Sequence, residues 1–123
     1  AVAGGKAAPP AAAAADATAA AKALVRLGWA IICAGRHEEA RARFEEAAAL
    51  APGLATAHFG LGYVLQDKLG RLEDGIAAYH RAVELDPEYA HAHNNLGNAL
   101  VAQKDLPGAE AAYRRALEAQ PDL

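Results

Sequence analysis

The stretch Ala90–Pro121, AHAHNNLGNALVAQKDLPGAEAAYRRALEAQP, reads as two helical patterns joined at Gln103-Lys104-Asp105. Its fixed points are Leu96, Gly97, Ala109, Tyr113, Ala116 and Pro121. The same points recur upstream as Leu61-Gly62, Gly75, Tyr79, Ala82 and Pro87, and again as Leu27-Gly28, Ala40, Phe44, Ala47 and Pro52. Phe44 to Tyr79 spans 35 residues and Tyr79 to Tyr113 spans 34, and the three prolines keep the same intervals. Leu27 to Leu61, however, spans 34, so the middle unit carries one extra residue between Gly62 and Gly75. The turn around Lys68-Leu69-Gly70 is expected to absorb it on the surface.

Six fixed points recurring three times in register resemble the tetratricopeptide repeat (TPR) family, helix-turn-helix units of about 34 residues. The resemblance covers three units, 21–54, 55–89 and 90–123. It implies an all-α fold, a right-handed α-solenoid of three helix pairs. Residues 1–16 then form a low-complexity Ala/Pro/Gly tail or linker, and 17–123 form the TPR domain. Two departures stand out. Gly75 occupies a place where the family prefers Ala, and glycine costs about 1 kcal/mol in a helix interior. Leu24, His58 and His93 stand where the family often has Trp.

A chain of 123 residues suits one domain, and three repeats are about the least that a solenoid needs. The formal charge is −3, with 12 Lys and Arg against 15 Asp and Glu, so nucleic acid is not an expected partner. That balance, and a single unit of 35 residues, also weigh against the related pentatricopeptide repeats. The one cysteine, Cys33, permits no internal disulfide and no CxxC metal pair. Placed among Ile31, Ile32 and Ala34, it is expected to be a buried thiol. No apolar run approaches 18 residues, so membrane insertion is not expected. The chain has no methionine, which fits a processed product, a fragment or a trimmed chain. Localisation is open between the cytoplasm and an organelle interior reached after removal of a targeting peptide.

Residues 1–15 offer almost no large side chains to bury, and Asp16 is a candidate N-cap for a first helix over about 17–34. Helices are then expected near 38–50, 55–68, 72–85, 89–103 and 106–119, with Pro107 tolerated in the first turn of the last. Gly28, Gly62 and Gly97 let the helices of a pair approach closely, and Phe44, Tyr79 and Tyr113 fill the space between units. Leu24, Leu27, Ile31, Leu61, Leu65, Leu96 and Leu100 complete the apolar layer.

The resemblance implies that the first helix of each unit lines a concave groove. Its positions follow i, i+3, i+7, i+10: Lys22, Val25, Trp29 and Ile32; Thr56, Phe59, Tyr63 and Gln66; His91, Asn94, Asn98 and Val101. Asn95 adds to them. Aromatic residues supply buried area at small entropic cost, and Asn amides pair with a peptide main chain whatever its side chains. The candidate peptide-binding residues are therefore Val25, Trp29, Ile32, Phe59, Tyr63, Gln66, His91, Asn94, Asn95 and Asn98. Co-chaperone members of the family grip a C-terminal carboxylate with a Lys-Asn-Asn-Lys-Arg set. The matching places here are Val25, Trp29, Gly60, His91 and Asn95, and none keeps its clamp residue. An Hsp70/Hsp90 tail is thus not the expected partner.

Catalytic and metal chemistry find no constellation. His91 and His93 point about 200° apart on a helix, and no Asp or Cys joins His58 and His93 convincingly. The chain has no serine, and Gly60-Leu61-Gly62 lies within a helix rather than at a phosphate-cradling turn. Neither enzyme activity nor a cofactor is expected. Two functions compete. One is an adaptor that binds a partner's peptide segment in the groove. The other is a structural subunit or assembly factor docked through its convex face, tail or open ends. The last helix is expected to expose part of Leu106, Ala109, Tyr113 and Leu117, so self-association through uncapped ends belongs to the second reading.

Overall fold

The computed structural model describes residues 11–122. Six helices follow in order: α1 Ala11–Cys33, α2 His37–Leu50, α3 Ala55–Tyr63, α4 Leu72–Leu85, α5 Ala90–Ala102 and α6 Leu106–Ala119. They pack as three antiparallel pairs, α1 on α2, α3 on α4 and α5 on α6, each pair stacked on the one before. Among the described residues there is no strand. The molecule is an all-α repeat solenoid.

The packing follows the repeat. Phe44 and Tyr79 are wholly buried, as are Ala47 and Ala82, with Ala116 at 1% exposure. Methyl groups on Gly28, Gly62 or Gly97 would strike the rings of Phe44, Tyr79 and Tyr113 in turn. Small residues on one helix thus admit an aromatic ring from the other in all three pairs. The histidines at the family's Trp position have a shared role. Nε2 of His58 lies 3.0 Å from the Pro52 carbonyl, and Nε2 of His93 lies 2.8 Å from the Pro87 carbonyl. Each ring donates to the proline that ends the preceding unit and so ties one unit to the next.

Four expectations need correction. Helix α1 begins at Ala11 rather than near Ala17, so residues 11–15 are helical and Asp16 lies inside the helix instead of capping it. A run of alanine has the highest intrinsic helix propensity and continues a packed helix without burying anything. Pro9-Pro10 lie outside the described residues. Cys33 is exposed at the last position of α1, as Ala102 is at the same place in α5. Leu27 is 46% exposed, whereas its counterpart Leu96 is 4% exposed. The later leucine packs on the preceding unit, and α1 has no preceding helix pair among the described residues. Ala109 is buried at 2%, although Leu106 and Leu117 are exposed as expected.

The extra residue of the middle unit is absorbed one step earlier than the turn. Helix α3 runs into a wide π-type turn over Val64–Lys68, in which the Leu69 N–H reaches the Val64 carbonyl at 3.0 Å. The closing bond runs from Arg71 N–H to Leu65 O, six residues back. In the flanking units the same bond runs five residues back, Arg36 to Ile31 and Asp105 to Leu100. A helix takes up a single insertion at least disruption by widening one turn. The bulge pushes Gln66 against α4 at Gly75, where a Cβ would lie 2.6 Å from the Gln66 Cβ and 3.0 Å from its backbone N. Glycine replaces the usual alanine because the widened turn leaves no room for a methyl group.

Candidate functional site

The face formed by α1, α3 and the start of α5 carries an open pocket of about 470 Å³. Helix α1 contributes Lys22, Val25, Arg26 and Trp29, and α3 contributes Thr56 and Phe59. Leu54 and Tyr89 come from the residues just ahead of α3 and α5. The i, i+3, i+7 spacing of α1 brings Lys22, Val25 and Trp29 to one side of the helix, and the short loop before each following unit closes the end.

An aromatic series runs beneath and through this pocket. The Trp29 ring centroid lies 5.4 Å from Phe44 at 71°, 5.9 Å from Phe59 and 5.1 Å from Tyr63. Phe59 continues the series to Tyr89 at 5.0 Å and to Tyr79 at 5.9 Å. Edge-to-face and tilted contacts at these distances hold the rings in fixed orientations. The half-buried Trp29, Phe59 and Tyr89 therefore present a preset apolar floor. Tyr89 has its pKa pushed up to about 12, first by desolvation and then by Asp86, so its hydroxyl stays a neutral donor. At the rim, Lys22 and Arg26 are exposed and make no ion pair among the described residues. The cations of α2 differ: Arg41 and Arg43 are held by Glu38, Glu45 and Glu46 at 2.8–3.0 Å.

Of the ten candidate groove residues, the pocket gathers Val25, Trp29 and Phe59. The others lie elsewhere. Ile32 is 9% exposed within the apolar core of the first two units. The Tyr63 ring rests on Trp29 and carries the Lys68 ammonium 5.7 Å from its centroid. Gln66 is half-buried in the wide turn, Asn94 and Asn95 are half-buried on α5, and His91 is exposed. Asn98 accepts a 2.5 Å hydrogen bond from the Tyr113 hydroxyl, which occupies its carbonyl oxygen. Three lining residues were missed by sequence reasoning. Arg26 completes a Lys22-Arg26-Trp29 strip at i, i+4, i+7, a spacing visible in the sequence. Leu54 and Tyr89 hold the same place in successive units, 35 residues apart. Leu54 precedes its helix, and Tyr89, the first residue of an expected helix, falls outside the register of His91, Asn94, Asn98 and Val101.

The buried Tyr79 hydroxyl has no hydrogen-bond partner, whereas that of Tyr113 is satisfied by Asn98. Desolvation raises the Tyr79 pKa strongly, and the nearby Asn95 offsets only part of the rise.

Comparison with known proteins returns the same repeat. Two tetratricopeptide repeat models match, over residues 21–54 and 64–123. No curated protein matches. A solved MamA double mutant (MamA RS-1 ArsTM) is 31% identical, with a TM-score of 0.75 over 82% of this chain and 56% of its own. A crystal structure of MamA is 27% identical, with a TM-score of 0.77 over 85% of this chain and 60% of its own. The chain thus spans little more than half the length of those structures. The first TPR domain of Spaghetti (RPAP3), bound to an HSP90 peptide, shares the fold at a TM-score of 0.82 and 22% identity, over 86% and 83% of the two chains. With six helices in three register-matched pairs and both models in agreement, the chain belongs to the tetratricopeptide repeat family.

Proposed function

We propose that the chain is a protein-interaction module that binds an extended peptide segment of a partner on its α1–α3–α5 face. The observation that carries this is the aromatic floor of Trp29, Phe59 and Tyr89 in an open pocket of about 470 Å³. Open apolar surface rimmed by polar groups on a protein of this size marks an interaction site, and aromatic anchors held in place lose little entropy on binding. Outside the pocket, the half-buried amides of Asn94 and Asn95 and the exposed amino group of Asn98 on α5 are further groups that could pair with a main chain. The peptide is not an Hsp70/Hsp90 tail. Carboxylate-clamp residues are absent at Val25, Trp29, Gly60, His91 and Asn95, whatever the fold shared with peptide-bound neighbours. No catalytic role or cofactor is proposed.

The competing structural-subunit reading has its own observation. A pocket of about 320 Å³ lies between α4, α5 and α6, floored by Val83, Leu96, Leu100 and Ala112. Photo-crosslinking separates the two. A photoreactive residue at the exposed Thr56 on the groove side should capture partner protein in lysate. The same residue at the exposed Ala111 on the other side should not. Capture at Ala111 alone would overturn the groove reading.

A further inference from the structure

The pocket rim carries two cations. Lys22 and Arg26 are exposed, have no acidic partner among the described residues, and stand one helical turn apart beside Trp29. The chain around them is acidic overall, at a formal −3. Elsewhere Arg36, Arg41, Arg43, Arg71, Arg81, Arg114 and Arg115 are all paired with Glu. Unpaired cations flanking an apolar floor leave positive potential directed at whatever lies on that floor, which sets specificity and association rate more than raw affinity.

Building on the groove reading, we propose that this pocket selects acidic peptides of the pattern acid-x-acid-x-bulky apolar. The geometry supplies the spacing. Lys22 and Arg26 are separated by about 6 Å along α1, at about 1.5 Å per residue. Alternate side chains of an extended peptide fall on one side about 6.6 Å apart, at about 3.3 Å per residue. Two acidic residues at i and i+2 thus face the two cations. The next same-side residue, i+4, lies over Trp29, Phe59 and Tyr89, where an aromatic or leucine side chain buries its surface. A nucleic-acid strand is disfavoured because its phosphates need a continuous basic track, and the pocket continues into Leu54 and Thr56 rather than further cations.

The test is selection of random seven-residue displayed peptides on the full chain, with the chosen peptides remade synthetically and titrated against the intrinsic fluorescence of Trp29, the only tryptophan. The expected result is enrichment of the acid-x-acid-x-apolar pattern in either chain direction. A Lys22→Glu/Arg26→Glu variant, whose changes lie on exposed positions, should bind those peptides about tenfold or more weakly while keeping its helical circular dichroism. Raising salt should weaken binding to the parent chain. Peptides that quench Trp29 and are blocked by Thr56→Arg, yet carry no acidic residue and ignore the charge reversal, would overturn this inference and leave the groove reading standing. Failure of any peptide to perturb Trp29 would overturn both. Binding of a ten-nucleotide oligothymidylate that the same reversal abolishes would overturn the peptide assignment.

Discussion

Replacing Gly75 by alanine sets two well-understood effects against each other. In an open helix the change stabilises by about 1 kcal/mol, because alanine loses less backbone freedom on folding. At this position the new methyl group would lie 2.6 Å from the Gln66 Cβ, 3.0 Å from its N and 3.1 Å from its Cα. Those atoms belong to the main chain or its first carbon and cannot swing aside. Overpacking of this kind costs about 1–3 kcal/mol. The net expectation is a loss of about 1 kcal/mol, or a fall in Tm of about 4 °C for a domain of this size. The assay is thermal and urea unfolding followed by far-ultraviolet circular dichroism. A second variant isolates the cause: deleting the exposed Asp67 shortens the middle unit to the 34 residues of its neighbours. In that background Gly75→Ala should stabilise, because the equivalent places hold the buried Ala40 and Ala109. A rise in Tm on Gly75→Ala in the parent chain would refute the link between the widened turn and the glycine.

Two further predictions rest on single positions. Lys104 adopts φ 66° at the place where Gly35 (φ 82°) and Gly70 (φ 67°) stand in the other units, so Lys104→Gly should raise stability by about 0.5–1 kcal/mol in the same unfolding assay. Tyr79 and Tyr89 both have folded pKa values raised above 10.0, so their contribution is intact below about pH 10 and is lost as pH climbs through 12. Tyr79→Phe, which removes a buried unpartnered hydroxyl, should hold or raise neutral-pH stability by up to about 1 kcal/mol and flatten the alkaline loss. A steeper alkaline loss in the variant would contradict the burial argument.

The three-unit solenoid was legible because its evidence is redundant: six kinds of residue return at one interval, and any one helix pair repeats the statement. What escaped depended on relations that one unit does not carry. Leu27 obeys the same pattern as Leu96 and differs only in having no helix pair before it. Cys33 sits in an apolar neighbourhood of sequence, yet it is exposed at the last position of α1. The extra residue could be confined to a dozen positions by counting, but its place inside a widened turn depends on contact with α4, which spacing does not encode. At the candidate site, period reasoning found the rings of Trp29 and Phe59 and overlooked Tyr89, which reaches the same floor from outside any helix. It also assigned Ile32 to the groove, where the structure shows a core side chain.

The aromatic series has a consequence for how the array melts. Stacked repeats unfold piecemeal when the contacts between neighbours are weak compared with the stability of each unit, and all at once when those contacts dominate. Here Phe59 touches Trp29 of the first unit and Tyr89 at the entrance to the third, so one side chain belongs to both boundaries. Loosening that ring weakens both couplings together, and neither end can fray without disturbing the middle. The chain should therefore behave as a single cooperative block, and an occupant seated on Phe59 would be felt as added protection against amide exchange in all three helix pairs rather than in one.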